Sequence, residues 1–431
     1  MRTDTVRSSS VLADDDHRRL NTDLHLYTTD DRVGAGLPLW LPAGTRIRDA
    51  LESYVREIER RAGYEQVHTP AVAKRSLYER SGHWAHYAAD MFPPMSSGEG
   101  PSADPGEDLV LRPMGCPHHA LIYAAQSRSW RELPLRLAER ASLYRDERSG
   151  VLNGLSRVRA MDLPDGHVFT SADDAVSEVS AICDLIEEIY RVMGITGHRY
   201  RLSLRDGSAK FVDAPEAWRR TEGVLREVLT ERGVPFLEAR GEAALYGPKI
   251  DIQVGVVGVS GAGPEAQEET LSTVQLDAIT PARFALTYAG ADGRPAIPWM
   301  IHRGLVSTAE RMVAHLVERH GGALPPWLAP YQAVVLPITG AHEDGARRIA
   351  AQLFSAGLHA EVDGAERSLG KRLHAARGRR VCWAVIIGDA EQAEDAVTVR
   401  FRDGTQAERI PNHEAVSRML DVVRERRQDA W

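Results

Sequence analysis

LYRDERSGVLNGLSRVRAMDLPDGHVF, residues 143–169, is the stretch of this chain that decides its fold. It contains four arginines. Upstream, GTRIRDALESYVREIERRAGYEQVHTP (residues 44–70) predicts an amphipathic helix over Thr45–Ala62. Downstream stands IPWMIHRGLVSTAERMVAHL (residues 297–316), in which WMIHRGL reads as strand or strand-to-loop.

Three candidate metal ligands stand in and around these stretches. Cys116 lies in MGCPHH, His167 in LPDGHVF and His302 in WMIHRGL, and each segment reads as strand or strand-to-loop. A thiolate and two imidazoles leave the fourth tetrahedral position of a zinc ion open, which is typical of a catalytic zinc site rather than a structural one. Their spacing matches no compact zinc motif, so spacing alone would equally allow ordinary core or surface residues.

The composition limits which class of protein this chain can be. The chain has 431 residues, of which 43% are hydrophobic and 26% charged, as in an ordinary globular protein. There is no run of about 18 apolar residues and no apolar signal segment at the N-terminus, so neither a membrane span nor secretion is predicted. Its three cysteines suit a reducing cytosol, which predicts a cytoplasmic protein. The net charge of −8 argues against a generally polycationic surface, but not against a local basic groove.

Shifts in composition divide the chain into domains. Residues 1–15 are polar and lack periodicity, which predicts a disordered tail. GGALPPWLAP (residues 321–330) is rich in proline and glycine and starts a new unit. Beyond it, strands alternate with helices, including a short helix through Arg372, which predicts βαβ units. The predicted domains are therefore 16–325 and 326–431.

Other elements of the first domain can also be predicted. Pro215–Arg232 has apolar residues at helical spacing and predicts a second amphipathic helix. Pro93–Asp108 and Gly258–Glu268 are rich in small residues, glycine and proline, and predict surface loops.

The three long stretches resemble those of threonyl-tRNA synthetase, a class II aminoacyl-tRNA synthetase, and the likeness runs from about Asp16 to about Arg424. The resemblance implies a long helix and a strand that ends in a proline over residues 44–70, an arginine-bearing hairpin over residues 143–169, and a strand–helix pair over residues 297–316. SGHW (81–84), ALYGPKIDI (244–252) and STVQLD (272–277) resemble segments of the same family. The resemblance implies an α+β fold: a class II catalytic domain with an antiparallel sheet flanked by helices, and a C-terminal α/β anticodon-binding domain. It also implies a homodimer formed through Thr45–Pro70.

The resemblance further implies ATP, threonine and tRNA(Thr) as partners, with one zinc ion per chain and Mg²⁺ accompanying ATP. An apolar pocket separates the isosteres threonine and valine poorly. Zinc held by Cys116, His167 and His302 could take both the amino group and the β-hydroxyl of threonine, and valine lacks the second group. Asp165 is expected to receive the hydroxyl hydrogen bond, and Tyr246 and Lys249 to face the amino group and the activated carboxylate.

Further site residues come from the same resemblance. Arg145 matches the arginine that holds the α-phosphate of ATP. Arg311 matches the arginine that lies over the adenine and near the γ-phosphate. A planar guanidinium fork is suited to binding such phosphate oxygens. The remaining ATP-site candidates are Glu147, Met161, Gln275 and Glu310, of which Glu310 would help to hold a metal. His83 is a candidate proton shuttle near the accepting ribose. The expected catalytic set is Arg145, Arg311, His83 and Lys249.

This chain departs from the family at five positions near the predicted pocket: Gly115, His118, Met161, Leu163 and Ser307. Met161 replaces a phenylalanine that stacks on adenine, and methionine offers no ring face. His118 has no family counterpart and is expected to support the metal site or the structure, whereas His119 stands at a family histidine. Only about 15 residues precede the region of resemblance, so the N-terminal domain that hydrolyses mischarged seryl-tRNA is expected to be absent.

In the C-terminal domain, Glu366, Glu391 and Arg400 match positions that read anticodon bases. Basic residues surround Glu366 and are expected to contact tRNA phosphates, although a solvated helix face would look the same. These residues are Arg367, Lys371, Arg372, Arg377, Arg379 and Arg380.

Three functions remain open at the level of sequence. The first is a threonine–tRNA ligase. The second is a paralogue that activates threonine or a related hydroxy amino acid for another acceptor, such as a carrier protein in a biosynthetic pathway. The third is a non-catalytic paralogue that senses threonine or binds tRNA. The metal triad, the two arginines and His83 argue against the third, and the anticodon-reading residues argue against a changed acceptor.

Overall fold

A computed structural model describes residues 12–96, 104–208, 210–256 and 268–431. Most of the predicted tail, part of the predicted loop at Pro93–Asp108 and nearly all of that at Gly258–Glu268 lie outside the described residues. None of the helices in the described part of the chain is long and apolar enough to cross a membrane.

The helices of the described residues, in chain order, are α1 (His17–Leu24), α2 (Pro42–Arg61), α3 (Arg75–Ser81), α4 (His83–Tyr87), α5 (Cys116–Ala124), α6 (Ala175–Met193), α7 (Pro215–Glu231), α8 (Thr280–Arg283), α9 (Ala309–Arg319), α10 (Glu343–Ser355), α11 (Leu369–Gly378), α12 (Asp389–Ala393) and α13 (Asn412–Arg424).

The strands are β1 (Tyr27–Thr28), β2 (Leu39–Trp40), β3 (Glu65–Gln66), β4 (Val72–Lys74), β5 (Leu109–Leu111), β6 (Leu135–Tyr144), β7 (Ala160–Thr170), β8 (Arg199–Leu204), β9 (Phe236–Arg240), β10 (Lys249–Gly255), β11 (Glu268–Asp277), β12 (Tyr288–Ala289), β13 (Pro295–Ala296), β14 (Trp299–Gly304), β15 (Ala333–Pro337), β16 (Ala360–Val362), β17 (Trp383–Ile387), β18 (Ala396–Phe401) and β19 (Gln406–Pro411).

The first domain is built on one large sheet. Among the described residues, its 8 strands run in the order β3-β6-β7-β14-β11-β10-β8-β9. The central pairs from β6 to β8 are antiparallel, and only the two edge pairs, β3 with β6 and β8 with β9, are parallel. The predicted antiparallel sheet flanked by helices is therefore confirmed.

The predicted hairpin is present as β6 and β7. Their register runs without interruption from Leu135 opposite Phe169 to Tyr144 opposite Ala160. Helix α2 is present as well, although it begins at Pro42, because a proline is well accommodated in the first helical turn. Its apolar residues recur on one face and are buried in the core: Ile47, Leu51, Tyr54, Val55 and Ile58.

One prediction of local structure is wrong. Cys116 was expected in a strand or at its end, but it is the first residue of helix α5. Pro117 suits the first turn of a helix, and the backbone N–H groups of His118 and His119 both donate to the carbonyl of Gly115. The thiol is therefore held at the start of a helix.

The C-terminal domain has its own sheet and hydrophobic core. Its 5 strands run in the order β16-β15-β17-β18-β19, parallel at β15 with β16 and β17 and antiparallel from β17 to β19. This mixed α/β architecture agrees with the prediction, except that helix α11 extends past Arg372 to Gly378. The core of the first domain includes Trp327 and Leu328, and that of the second begins at Ala329.

A buried ion pair joins the sheet to helix α2. Arg303 on β14 is only 2% exposed, and its Nη2 forms an ion pair with Glu59 Oε1, 2.7 Å away. Its Nη1 donates to the carbonyl of Pro164, and its guanidinium lies 4.3 Å from the ring centroid of Tyr64. Gly166 lies opposite Arg303 on β7 and leaves room for the guanidinium.

Glu59→Gln is expected to destabilise the protein strongly, because it leaves the buried charge of Arg303 without a counter-ion. The expected loss is about 3–5 kcal/mol in the free energy of unfolding, measured by urea titration. Glu188→Gln is the matched control, since Glu188 pairs with Arg61 at the surface at 2.6 Å and should contribute less than about 1 kcal/mol. Equal losses in the two variants would contradict the importance of the buried pair.

Candidate active site

The predicted site residues share one face of the large sheet. Residues directly opposite each other on paired strands point to the same side, with strands about 4.8 Å apart. One row across the sheet contains Lys249, Gln275, His302 and His167, on β10, β11, β14 and β7. These four residues line a cleft of about 400 Å³.

A second row lies two residues further along the same strands. It runs Asp251, Thr273, Gly304 and Asp165, and all four also line the cleft. Because side chains alternate along a strand, Met161, Leu163, Asp165 and His167 of β7 face the cleft together. The two rows therefore form the floor of the cleft.

Cys116, His167 and His302 come together at one end of this floor. One ligand atom of each lies within 4.8 Å of the corresponding atoms of the other two. His167 Nε2 and His302 Nδ1 are 3.1 Å apart. The predicted triad is thus brought together by the fold.

Hydrogen bonds behind the triad determine where the protons of the imidazoles lie. Glu139 is buried, which alone would raise its pKa, but hydrogen bonds from His119 and Thr69 and the charge of Arg112 lower the pKa to about 2. The ionised carboxylate accepts from His119 Nε2 at 3.3 Å. His119 Nδ1 is then left to accept from His167 Nδ1, 2.8 Å away.

The consequence is that the lone pair of His167 Nε2 faces His302. His302 Nε2 lies 3.1 Å from Asp277 Oδ2 and donates to it, so the lone pair of His302 is on Nδ1. Two lone pairs 3.1 Å apart repel each other unless a cation is shared between them. A carboxylate or a second imidazole on the far nitrogen of each ring is also the usual support of a metal-binding histidine. The residues therefore fit a divalent metal.

The protonation of the triad favours the same interpretation. Burial lowers the pKa of His167 well below its usual range, and His119 and His302 act in the same direction, so this imidazole is a neutral ligand. Burial raises the pKa of the Cys116 thiol, as do Asp165 and Asp277. A thiolate at this position therefore requires a nearby cation.

Arg145 and Arg311 lie on the other side of the cleft. Arg311 donates from Nε to the carbonyl of Ser156 at 3.1 Å and from Nη1 to that of Thr270 at 3.4 Å. Burial lowers the pKa of Arg311, and the positive charges of Arg145 and Arg157 add to that shift. Arg145 Nε is buried and has no hydrogen-bond partner among the described residues. Two guanidinium groups in one cleft form an anion site.

Lys249 is held by a buried carboxylate. Its Nζ lies 2.6 Å from Asp251 Oδ2, which also accepts from Ser203 at 2.7 Å, while Asp251 Oδ1 accepts from Thr273 at 3.0 Å. The ammonium group therefore has a defined position on the cleft floor, one strand away from Gln275.

Asp165 packs against the start of helix α5. A side-chain carbon added at Gly115 would lie 2.6 Å from Asp165 Oδ2, so the carboxylate occupies the space that a larger residue would fill. Burial raises the pKa of Asp165, against the effect of the neighbouring His119 and His302. One departure from the family, Gly115, thus bears directly on the predicted hydroxyl-binding residue.

His83 and Tyr246 lie behind the triad rather than in the open cleft. His83 Nε2 is 3.6 Å from Cys116 Sγ, and its Nδ1 is 2.7 Å from Ser81 Oγ. Burial lowers the pKa of His83 to about 4, with a further contribution from His302. The Tyr246 ring packs edge-on against His83, and its hydroxyl has no hydrogen-bond partner among the described residues.

Two predicted ATP-site residues are not brought to the cleft. Glu310 is buried on the opposite side of the sheet, where its Oε2 accepts from the backbone N–H of Asp162 and lines a cavity of about 220 Å³ with Arg48. Burial raises the pKa of Glu310 to about 7. Glu147 pairs with Arg157 at 2.8 Å beside the hairpin turn. The geometry does not support Glu310 as a metal ligand at ATP.

The other departures from the family lie in and around the cleft. Met161, Leu163 and Ser307 line it, and Met161 also lines the cavity that contains Glu310. His118 is buried, and neither of its nitrogens has a hydrogen-bond partner among the described residues. Burial lowers the pKa of His118 to about 4, with a further contribution from Arg112, and its ring packs edge-on against Tyr78.

In the C-terminal domain, the predicted anticodon residues lie on three different elements: strand β18, helix α12 and the loop before helix α11. Arg400 on β18 lines a groove of about 320 Å³. Glu391 accepts from Thr398 at 2.8 Å and from the backbone N–H of Gly388 at 3.0 Å. Glu366 lies just before helix α11, in the loop that Arg372 holds.

The expected basic cluster is not one open surface. Arg372 is buried and donates to the carbonyls of Arg367 and Asp363. Arg367 pairs with Asp363, and Arg379 pairs with Glu361 and lies over the Tyr331 ring. These three arginines bind other groups of the same domain. The expected phosphate contacts are therefore narrowed to Lys371, Arg377 and Arg380.

Four functional residues were missed at the level of sequence: Glu139, Asp251, Thr273 and Asp277. Asp251 lies in ALYGPKIDI two residues after Lys249, and Thr273 and Asp277 lie in STVQLD. Acidic and hydroxyl residues inside segments that resemble the family could therefore have indicated these three. Glu139 had no such signal, because only strand pairing places it opposite Asp165.

Comparisons with known proteins agree with the fold described above. The family model of the tRNA synthetase class II core domain (G, H, P, S and T) matches residues 100–320, and that of the anticodon binding domain matches residues 332–421. The threonine–tRNA ligase of Geobacillus kaustophilus is 43% identical over 415 residues, 96% of this chain and 62% of the relative.

Two further relatives are similar. Threonine–tRNA ligase 1 of Bacillus subtilis is 44% identical over 94% of this chain and 61% of its own length. The crystal structure of the RNA binding domain of threonyl-tRNA synthetase from Cryptosporidium parvum has a TM-score of 0.86 at 30% identity, covering 96% of this chain and 99% of that one. The chain spans about 62% of the length of the curated relative from Geobacillus.

Proposed function

This chain belongs to the threonyl-tRNA synthetase family of class II tRNA synthetases, as its sequence predicted, and from that premise we propose that it activates threonine with ATP and transfers the threonyl group to tRNA(Thr). The observation that carries the proposal is the cleft itself. A metal-ligand triad and an anion site of two arginines face the same floor, so an amino acid and a nucleotide can meet there.

Activation requires attack of a carboxylate on the α-phosphate, which already carries negative charge. Arg145 and Arg311 supply fixed positive charge for the phosphate oxygens, and the unpartnered Nε of Arg145 is a donor available for one of them. Lys249, held by Asp251, lies in the same row of the cleft floor as His302 and His167 and would bind the activated carboxylate. ATP enters as its Mg²⁺ complex.

Cys116, His167 and His302 would hold zinc. When bound, the metal supplies a Lewis acid with an open position for the amino group and β-hydroxyl of the amino acid. Asp165 would accept the hydroxyl hydrogen bond, and Gln275 would orient the nucleotide from its place between Lys249 and His302. The apolar wall of Leu163 and Met161 lies next to them on β7.

Transfer to tRNA uses the second domain and the region around His83. Glu391 and Arg400 would read anticodon bases together with Glu366. His83 stays the predicted proton acceptor: burial lowers its pKa and keeps the imidazole neutral, but because the ring lies behind the triad the ribose hydroxyl would reach it only after the site rearranges. A homodimer through helix α2 and a cytoplasmic location remain predictions.

A second candidate is a paralogue that loads the activated amino acid onto another acceptor, such as a carrier protein. The observation that favours it is the set of departures on the cleft wall, Gly115, Met161, Leu163 and Ser307. The retained anticodon-reading residues favour tRNA as the acceptor.

The decisive assay is amino-acid-dependent exchange of pyrophosphate into ATP with each of the twenty amino acids, followed by transfer of the activated amino acid to tRNA. We expect exchange with threonine and formation of threonyl-tRNA. Arg311→Ala should abolish exchange, whereas Arg319→Ala, on the same helix but bonded to the carbonyl of Gly194, should leave it intact. Exchange without transfer to tRNA would favour the carrier-protein alternative, and no exchange with any amino acid would refute both.

Zinc binding can be tested directly. The purified chain should hold about one zinc ion, and Cys116→Ser should release it and abolish threonine-dependent exchange, because a hydroxyl is a much weaker zinc ligand than a thiolate. Cys183→Ser is the control, since Cys183 is also a buried thiol but lies on helix α6 and packs in the main core. Metal content is measured by mass spectrometry. Full exchange by a metal-free preparation would refute the role of the triad.

The last prediction of this section concerns serine. Serine offers the same amino and hydroxyl groups as threonine, so only the methyl group remains for discrimination, worth about 1–3 kcal/mol or roughly 10–200-fold. When these 431 residues are assayed alone, we expect seryl-tRNA to form measurably and valyl-tRNA not to form. If seryl-tRNA stays undetectable while threonyl-tRNA accumulates, the wall at Leu163 rejects serine by more than a methyl contact allows.

A further inference from the structure

The hairpin turn between β6 and β7, beside the anion site, contacts a buried histidine that lies outside the cleft. His17 is the first residue of helix α1, is only 2% exposed, and is remote in sequence from every residue discussed above. We infer that His17 is a positioning residue, which holds the turn between β6 and β7 against helix α9 and thereby sets the place of Arg311 in the ATP site. The inference rests on the proposed function.

Both nitrogens of His17 are used. Nδ1 lies 2.6 Å from Glu318 Oε1 on helix α9 and donates to it. Nε2 accepts from the backbone N–H of Leu155 in the turn, at 3.0 Å. A single imidazole therefore links the helix to the turn, and the tautomer is determined because one nitrogen must donate and the other must accept.

The turn is shaped to fit this ring. Gly154 has φ +51°, and a side-chain carbon there would lie 2.2 Å from His17 Nε2, so backbone and imidazole are in direct contact. Leu155 is buried in the main core. The turn is thus anchored at Gly154 and Leu155, although the residues on both sides of them are partly exposed.

The next residue along the turn contacts the cleft. The carbonyl of Ser156 accepts from Arg311 Nε at 3.1 Å. Arg311 and Glu318 are on the same helix, about two turns apart. Contacts therefore connect Glu318 to Arg311 through His17, Leu155 and Ser156. Removal of the imidazole breaks this series of contacts at a point outside the cleft.

A metal is the other use such a cluster could have. Asp16, His17 and Glu318 offer ligand atoms within 4.8 Å of one another. However, both imidazole nitrogens already have protein partners, and Asp16 Oδ2 pairs with Arg18 Nη2 at 2.6 Å. The hydrogen-bonding role accounts for all of these contacts without an ion.

The test uses two side chains that each copy one nitrogen of the ring. In His17→Gln the amide can reach the position of Nε2 and accept from Leu155, whereas in His17→Asn it reaches only the position of Nδ1, next to Glu318. We expect kcat/KM for ATP, in threonine-dependent exchange, to fall about 10- to 100-fold in His17→Asn and His17→Ala, through a raised KM for ATP. In His17→Gln it should stay within a few-fold of the unsubstituted protein, because the amide keeps the contact with Leu155 and the backbone N–H of residue 17 still donates to Glu318 Oε1, 3.2 Å away.

Two readouts separate positioning from general loss of structure. Zinc content and KM for threonine should not change in any of the three variants, and amide hydrogen exchange of residues 150–158 should accelerate only in His17→Asn and His17→Ala. His320→Ala is the matched control, because His320 lies at the same end of helix α9 but bonds to the carbonyl of Met193. It should leave the KM for ATP unchanged.

The outcomes that overturn the inference are distinct from those that overturn the proposed function. Equal behaviour of His17→Asn and His17→Gln, or an equal rise in the KM for ATP in His320→Ala, would show that His17 does not position the turn. If the unsubstituted chain shows no amino-acid-dependent exchange, the proposed function fails, and the hydrogen-exchange comparison still decides whether His17 holds the turn.

Discussion

The pairing register of β7 with β14 is the constraint on which the rest of the site depends. It places His167 directly opposite His302 and Asp165 opposite Gly304. A slip of one residue would turn every side chain of one strand to the other face of the sheet, because side chains alternate along a strand. The triad, the position of the Asp165 carboxylate and the cleft wall of Leu163 and Met161 would then be lost together.

The opposite face of the same strands holds this register in place. Arg303 follows His302 and therefore points away from the cleft, where it pairs with Glu59 on helix α2 and contacts the carbonyl of Pro164. The guanidinium is compatible with only one register, since Gly166 must lie opposite it to leave room. Structural and chemical residues thus alternate along β14, and the buried ion pair stabilises the alignment that the cleft requires.

Part of the cleft is positively charged, although the chain as a whole has a negative net charge. The net charge is −8, yet the cleft has the two guanidinium groups of Arg145 and Arg311, and Arg145 Nε has no hydrogen-bond partner in the part of the chain that the structure describes. The carboxylates nearby are committed elsewhere: Asp251 to Lys249, Asp277 to His302, and Glu139 to His119 and Arg112. The site therefore presents positive charge to phosphates while its own acids support the groups that bind ligands.

Sequence alone was sufficient for the architecture. Helix α2 could be predicted because its apolar residues recur at helical spacing, whereas the 143–169 hairpin and the strand–helix pair of β14 and α9 came from the family resemblance. The resemblance also supplied the triad of Cys116, His167 and His302, whose members carry their ligand chemistry as residue types.

Tertiary structure decided which residues support those predicted and which lie elsewhere. Glu139 carries no local signal, and it becomes the support of His119 only when β6 pairs with β7. Glu310 and Arg311 are neighbours in sequence, but successive residues of a helix point in different directions, so one lies behind the sheet and the other in the cleft. Local pattern determines what an element is, whereas the packing of elements distant in the chain determines what each side chain faces.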